Sequence, residues 1–174
     1  MCFGCNYRLF FDVGVVCLGS SVYKYTFILS FGVNVVIFEK IKDGAKLPER
    51  GTNGAACWDL RSDDEYVLYN YGVVGTGLKV QIPDGHVGLV CSRSGLAAKH
   101  GIFVLNAPGV IDCDYRGELK VILGAVPGGA FKVGKGERIA QLMVLPIPTM
   151  DACFGSVADD TERGDKGFGS TGSH

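Results

Sequence analysis

From residue 34 onward the chain is a series of short apolar runs separated by turn-forming residues, and this alternation limits the fold most strongly. Between the runs stand KDG, NG, PDG, APG, PGG and GKG, in which glycine supplies positive φ and proline or aspartate sets the turn. Runs rich in Val, Ile, Tyr and Phe at roughly 8–12-residue spacing are typical of a β-sandwich or barrel. The pattern therefore predicts an all-β fold with strands in the following runs: NVVIFEKI, EYVLYN, GLKVQI, HVGLVCS, GIFVLN, GELKVILGAV, GAFKV and ERIAQLMVLPI.

A single segment, SGLAAKH from Ser94 to His100, has a helical pattern. Serine is a common N-cap residue, and a glycine directly after a helix favours its C-terminal cap. We therefore predict a helix of about two turns that Ser94 caps and that ends before Gly101.

Length and charge narrow the class of protein. A chain of 174 residues supports one domain with a single core. Its net charge of −1 argues against broad binding to nucleic acid or to a membrane surface, so any anion site must be local. Seven scattered cysteines, an odd number, indicate reduced thiols. This predicts a cytoplasmic protein, or one that also enters the nucleus if the source is eukaryotic.

Residues 1–34 form an apolar and aromatic leader. Asp12 and Lys24 interrupt it before it reaches the roughly 18 apolar residues that a membrane span needs. It also lacks the features of a signal peptide, so we expect an extension of unknown role. Cys2 and Cys5 form C-x-x-C, but no second ligand pair follows at zinc spacing. The predicted organisation is this extension, a β domain over residues 35–157, and a glycine-rich C-terminal segment over residues 158–174.

The C-terminal segment contains GFGSTG, which satisfies the pattern G-x-G-x-x-G. A dinucleotide fold is excluded by context, because that pattern needs a strand before it and a helix after it. The glycines still allow backbone N–H groups to converge on an anion, and Ser170 and Thr171 add hydroxyl donors. A frayed terminus is the competing interpretation.

Two further segments could bind phosphate or carry acid–base chemistry. CSRSGLAAKHG places Arg93 and Ser94 at the start of the predicted helix, where N–H groups and a guanidinium favour an anion. In NAPGVIDCDYRGELKV, Asp112 and Asp114 would share one face if the chain were extended. A metal-binding pair, a general base beside Tyr115 and a solvated hairpin all remain open for this second segment.

The last two candidate segments are GERIAQLMV and AACWDLRSDD. Arg138 and Gln141 lie in an otherwise apolar strand, and a core strand with polar edge positions explains them equally well. Asp59 is flanked by apolar residues and therefore needs a partner. None of the three histidines has a nucleophile motif around it, which disfavours nucleophilic catalysis.

Taken together and in order, AACWDLRSDD, SRSGLAAKHG, GVIDCDYRGELKV, GERIAQL and RGDKGFGSTG resemble the five motifs of the homotrimeric dUTP pyrophosphatases, the dUTPase family. The resemblance runs from about Val35 to Gly172. It implies a jelly-roll β subunit, three subunits with shared active sites, and Mg²⁺-dependent hydrolysis of dUTP to dUMP and pyrophosphate. It also implies that the enzyme keeps uracil out of DNA and supplies dUMP for thymidylate synthesis.

The resemblance assigns roles to individual residues. Asp112 would position and deprotonate the water that attacks the α-phosphorus, and Tyr115 would pack on the deoxyribose. Asp59 would hold a hydrated Mg²⁺ through water. The residues that would form a hairpin reading uracil are Asn106, Gly109, Val110, Ile111 and Lys120. The residues that would contact the phosphates are Arg93, Ser94, Gly95 and Gln141. The residues that would close over the site as a lid are Arg163, Phe168, Gly169, Ser170 and Thr171, with Phe168 stacking on uracil.

Two positions in these segments depart from the family pattern. Cys57 stands where motif one usually has glycine, and Ser92 stands where motif two usually has proline. Neither replaces a group with a chemical role, so these changes bear on local backbone shape. The alternatives are a dCTP deaminase of the same fold and a dUTPase-like regulator that has lost turnover.

Overall fold

The computed structural model describes residues 35–126 and 130–166. Within these ranges the chain forms ten strands and one helix. The elements are β1 Ile37–Lys40, β2 Trp58–Arg61, β3 Tyr66–Leu68, β4 Tyr71–Gln81, β5 His86–Cys91, α1 Ser94–His100, β6 Ile102–Val104, β7 Gly109–Ile111, β8 Glu118–Ala125, β9 Phe131–Val133 and β10 Arg138–Pro146.

Two four-stranded antiparallel sheets build the domain. One has the strand order β1-β4-β8-β6 and the other has the order β2-β10-β5-β7, while β3 and β9 form a separate pair. Leu60 from β2, Leu119 from β8 and Leu142 from β10 are fully buried in one hydrophobic cluster, so both sheets contribute to the core. The predicted all-β, jelly-roll-like fold with one short helix is confirmed.

A β-bulge in β4 lies opposite the start of β8. The pairing of these strands shifts between Gly75 and Lys79, and Gly77 inside the bulge has a φ of 67°. The Thr76 hydroxyl, fully buried, donates a 2.6 Å hydrogen bond to the Leu119 carbonyl. A bulge leaves backbone groups without ladder partners. Here a side chain provides one, since the Gly77 N–H donates to Oε1 of Glu118 at 3.1 Å.

A buried carboxylate lies beside this bulge. Asp63 pairs with the ammonium of Lys42 and accepts a 2.6 Å hydrogen bond from the Tyr66 hydroxyl. Burial alone raises the pKa of Asp63, but the hydrogen bonds from Lys42 and Tyr66 outweigh it and hold the pKa below its ordinary value. The same pairing raises the pKa of Lys42. Asp63 and Lys42 are therefore both charged at neutral pH.

The predicted elements and the observed ones agree in most places. Each of the eight apolar runs contains a strand, but β2, β7 and the first half of β4 were not predicted. The bounds of α1 and its left-handed cap at Gly101 are as expected. Ser94 is not the N-cap, however. Arg93 occupies that position in an extended conformation, and no side chain donates or accepts at the cap. Ser94 already lies in the first turn.

Residues 1–34 lie outside the described ranges, and so does the C-x-x-C of Cys2 and Cys5. The proposed division of the chain therefore remains a prediction. In the described ranges the single helix has seven residues, too few and too polar to cross a membrane.

Candidate active site

A cavity of about 290 Å³ lies between the end of β7 and the outer face of β4 and β8. Its wall combines aliphatic side chains with a few polar groups at one end. The lining residues are Val73, Val110, Ile111, Asp112, Tyr115, Glu118, Lys120 and Ile122. Five of the residues that we predicted from the third motif therefore line one pocket.

A tight turn connects the two walls of the pocket. The Tyr115 N–H donates to the Asp112 carbonyl at 3.1 Å, which places Cys113 and Asp114 at the centre of the turn. The condition under which Asp112 and Asp114 would share a strand face is therefore not met, because this segment is a turn and is not extended. Asp112 is exposed at the pocket edge.

The expected hairpin also needs correction. β7 pairs with β5 in one sheet, whereas β8 pairs with β4 and β6 in the other. The chain thus crosses between sheets at the turn, and the two strands face each other across the pocket without forming a ladder. Asn106 lies beside β7, because a side chain added at Gly109 would come within 3.3 Å of the Asn106 amide.

A second cluster forms where β2, β10 and the start of α1 meet. Asp59 accepts from Nε of Arg93 at 3.2 Å and from Nη1 of Arg138 at 2.9 Å. Arg93 also donates to the Arg138 carbonyl at 3.0 Å. Gln141 lies opposite Asp59 in the ladder and donates to the Ser92 carbonyl at 2.9 Å. Motifs one, two and four therefore converge, and Asp59 has the charged partners that its apolar surroundings require.

The surroundings of Asp59 limit how it could bind a magnesium ion. Both of its oxygens are engaged by guanidinium groups, and the described ranges contain no cluster of three His, Cys, Asp or Glu residues able to hold a metal. Mg²⁺ commonly keeps several waters and binds through one or two carboxylates together with substrate phosphates. Because guanidinium groups already occupy both Asp59 oxygens, an ion at this position would have to be held through water.

The predicted site residues form two groups within one chain. The pocket lining includes none of Asp59, Arg93 and Gln141, although all three lie in the described ranges. Ser94 and Gly95 are exposed at the start of α1. Arg163 is exposed and donates only locally, to the Lys166 carbonyl at 3.0 Å. The remaining predicted lid residues, Phe168, Gly169, Ser170 and Thr171, lie outside the described residues.

The structure adds residues to those with a predicted role. Arg138, a candidate of the fourth motif without an assigned role, pairs with Asp59, and Glu118, Val73 and Ile122 line the pocket. Strand periodicity could have identified two of these, since Glu118 and Ile122 share a face of β8 with the predicted Lys120. Val73 could not have been found that way, because its contribution depends on the register between β4 and β8.

Comparisons with known proteins agree with one another. The family model for dUTPase matches residues 43–172. The deoxyuridine 5'-triphosphate nucleotidohydrolase of Hydrogenobaculum sp. is 40% identical over 140 residues, covering 79% of this chain and 97% of the relative. The enzyme of the same name from Paramecium bursaria Chlorella virus 1 is 44% identical, covering 79% and 97%.

Solved structures show the same fold. The dUTPase of Staphylococcus bacteriophage 80alpha in complex with dUPNHPP matches with a TM-score of 0.72 and 31% identity, over 80% of this chain and 99% of that one. A mutant dUTPase from phage phi11 of S. aureus, described for its coordination of a structural Mg(II) ion, matches with a TM-score of 0.64 and 25% identity, over 74% and 99%.

Proposed function

The chain belongs to the dUTPase family and is a dUTP diphosphatase, and we propose that Asp112 activates the water that attacks the α-phosphorus of dUTP. The observation that carries this proposal is the pocket that Asp112, Tyr115 and two β7 residues, Val110 and Ile111, line together. An exposed carboxylate at the pocket edge can accept a proton from water while substrate fills the pocket. A positioned general base typically contributes 10²–10⁴-fold in rate.

Strand β7 supports binding of uracil by backbone groups. It is the edge strand of its sheet, with its ladder to β5 on one side. An edge strand presents N–H and C=O groups that can pair with a ligand, and uracil carries alternating acceptors and a donor on its pairing edge. Gly109, Val110 and Ile111 would supply these groups, with Asn106 beside them and Lys120 on the opposite wall. A thymine methyl would be rejected by overlap, and cytosine by mismatched donors and acceptors.

We assign the phosphates to the second cluster. Arg93 and Gln141 lie there, with Ser94 and Gly95 at the start of α1. Phosphoryl transfer depends mainly on positioning and on stabilising charge, which guanidinium groups and backbone donors do well. A magnesium ion held by Asp59 through water would neutralise part of the triphosphate charge. Arg163 and the Phe168–Thr171 segment would close over the bound nucleotide.

The separation of the two groups supports a site shared between subunits of a homotrimer. One chain presents the pocket and another would present the phosphate cluster. Large apolar side chains are exposed near the pocket on the first sheet and on the segment leading into β4, which is unusual for a surface without a partner. They are Tyr69, Tyr71, Val73, Phe103 and Leu105.

Hydrolysis of dUTP would keep uracil out of DNA and provide dUMP for thymidylate synthesis in a reducing compartment. The described cysteines fit that setting, because Cys57, Cys91, Cys113 and Cys153 are all unpaired thiols. No stable binding to nucleic acid or membrane is needed for this role.

The proposal is tested by incubating the purified chain separately with dUTP, dTTP, dCTP and UTP, with and without Mg²⁺. We expect pyrophosphate from dUTP with Mg²⁺ and little from the others. Ammonia released from dCTP would favour the deaminase alternative. Absence of dUTP turnover at micromolar protein would favour the regulatory alternative and refute the proposal.

A further inference from the structure

We propose that Glu118 and Gly117 are positioning residues for Tyr115 and that they determine how strongly the enzyme rejects ribonucleotides. The inference rests on the proposed function and on the role that the family resemblance implies for Tyr115, whose ring would pack on the deoxyribose. It concerns a different question, namely what holds that ring in place when 42% of Tyr115 is exposed to solvent.

The Tyr115 ring is folded back over the chain that follows it. Its hydroxyl donates a 3.0 Å hydrogen bond to the Glu118 carbonyl. The ring passes directly over Gly117, where an added Cβ would lie only 2.3 Å from the Tyr115 hydroxyl oxygen and 2.6 Å from Cζ. Any larger residue at position 117 would therefore force the ring away from its acceptor. Glycine is required here for close approach, and its φ is not in the left-handed region.

The residue that carries the acceptor carbonyl is also bound through its side chain. That carboxylate is only 14% exposed. Its Oε1 accepts from the Gly77 N–H at 3.1 Å and lies 3.3 Å from Nζ of Lys42, while its Oε2 lies 3.5 Å from Nζ of Lys120. Glu118 is thus fixed to the bulge of β4 at the first residue of β8, just where the Tyr115 hydroxyl binds.

Neighbouring residues provide a positive charge and space for the Glu118 carboxylate. Lys42 bridges Glu118 and the buried Asp63, so its ammonium is restrained from both sides. Gly75 in β4 leaves the necessary space, because an added Cβ would come within 2.8 Å of Glu118 Oε1 and 2.9 Å of Asp63 Oδ2. The chain of contacts runs from the buried network through the bulge to Glu118 and then to the ring of Tyr115.

A fixed ring matters for selecting deoxyribose over ribose, because a 2′-hydroxyl is rejected only if the ring against which it would clash cannot move away. A ring attached only at its Cβ can rotate about χ1 and χ2 to make room, whereas a ring also held at its hydroxyl cannot do so without breaking that hydrogen bond. One such bond corresponds to about a threefold to tenfold effect. The expected change is therefore in the ratio of kcat/KM for dUTP to that for UTP.

The test measures this ratio for the wild type, Glu118→Ala, Glu118→Gln, Tyr115→Phe and the double variant Tyr115→Phe/Glu118→Ala. We expect about a threefold to tenfold fall in the ratio for Tyr115→Phe, which removes the hydrogen bond. Glu118→Ala keeps the acceptor carbonyl but releases the residue that carries it, so we expect a smaller fall in the same direction. Glu118→Gln should keep most of it, because the amide oxygen can still accept from Gly77. The double variant should be no worse than Tyr115→Phe alone, since Glu118→Ala acts only through the hydrogen bond that Tyr115→Phe already removes. Gly117→Ala should lower the ratio at least as far.

Glu39→Ala is the matched control. Glu39 lies on the same sheet, two strands from Glu118 in the same register row, and its carboxylate is 3.8 Å from Nζ of Lys79. Its side chain is 66% exposed, and this ion pair is separate from the contacts that join Lys42, Glu118 and Tyr115. Its ratio should stay at the wild-type value. An unchanged ratio in Glu118→Ala, or effects of Glu118→Ala and Tyr115→Phe that add in the double variant, would overturn the inference. A wild type that does not hydrolyse dUTP would instead refute the proposed function.

Discussion

At the scale of single residues, the account depends on what the Asp112 carboxylate does. It is exposed beside the pocket, and its backbone carbonyl, rather than its side chain, closes the adjoining turn. Its replacement by asparagine should therefore leave the turn intact. The same geometry explains why a sequence pattern could not separate a general base from a metal-binding pair: the choice depends on whether Asp112 and Asp114 face the same way.

The first prediction is that Asp112→Asn retains nucleotide binding while losing most turnover. We expect kcat to fall by about 10²–10⁴-fold, the usual contribution of a general base, with the affinity for a non-hydrolysable dUTP analogue nearly unchanged. Turnover is measured by pyrophosphate release and binding by calorimetry. Asp114→Asn, at the exposed centre of the same turn, is the matched control. Equal loss of binding and turnover in Asp112→Asn would make Asp112 a structural residue.

At the scale of elements, the network beside the β4 bulge links acid stability to the arrangement of strands. The pKa of Asp63 is lower in the folded protein than the ordinary value of 3.8. A carboxylate with a lowered pKa stabilises the fold above its unfolded pKa, and this stabilisation is lost as pH falls through its folded pKa. The pKa of Lys42, the partner of Asp63, is raised, so Lys42 stays positively charged throughout that range.

We therefore predict that Asp63→Asn is less stable than the wild type at neutral pH and that the difference narrows as pH falls below about 4, near the unfolded pKa of aspartate. Urea unfolding followed by circular dichroism at several pH values measures this. Asp64→Asn, an exposed neighbour, should differ little from the wild type at any pH. A difference that stayed constant down to pH 2 would show that the Asp63 charge does not contribute.

The C-terminal segment is the element for which the site makes the clearest functional prediction. Removing residues 163–174 should leave a folded trimer with little dUTPase activity, because the segment would supply Arg163, the uracil-stacking Phe168 and further phosphate contacts. Sedimentation measures the assembly and pyrophosphate release measures the activity. Full activity after deletion would return the segment to the interpretation of a frayed terminus.

At the scale of the whole molecule, sequence predicted those features that depend on local pattern and on motif order. The runs of β-formers located most strands, and Gly101 located the end of α1. The strand pattern missed β7, because three residues preceded by a proline turn carry little periodicity, and only the family resemblance marked Gly109–Ile111. The Asp59–Arg93–Arg138 cluster joins positions up to 79 residues apart, so only the fold brings them together. Likewise, the crossing between sheets at Asp112 follows from topology.

If the pocket directs water to the α-phosphorus of dUTP, the oxygen of that water must appear in dUMP, and isotope labelling can follow it. The purified chain is supplied with dUTP and Mg²⁺ in water enriched in ¹⁸O, and the products of the first turnovers are analysed by mass spectrometry. The account predicts dUMP carrying one ¹⁸O atom and unlabelled pyrophosphate. Label in pyrophosphate, or no hydrolysis of dUTP at all, would contradict it.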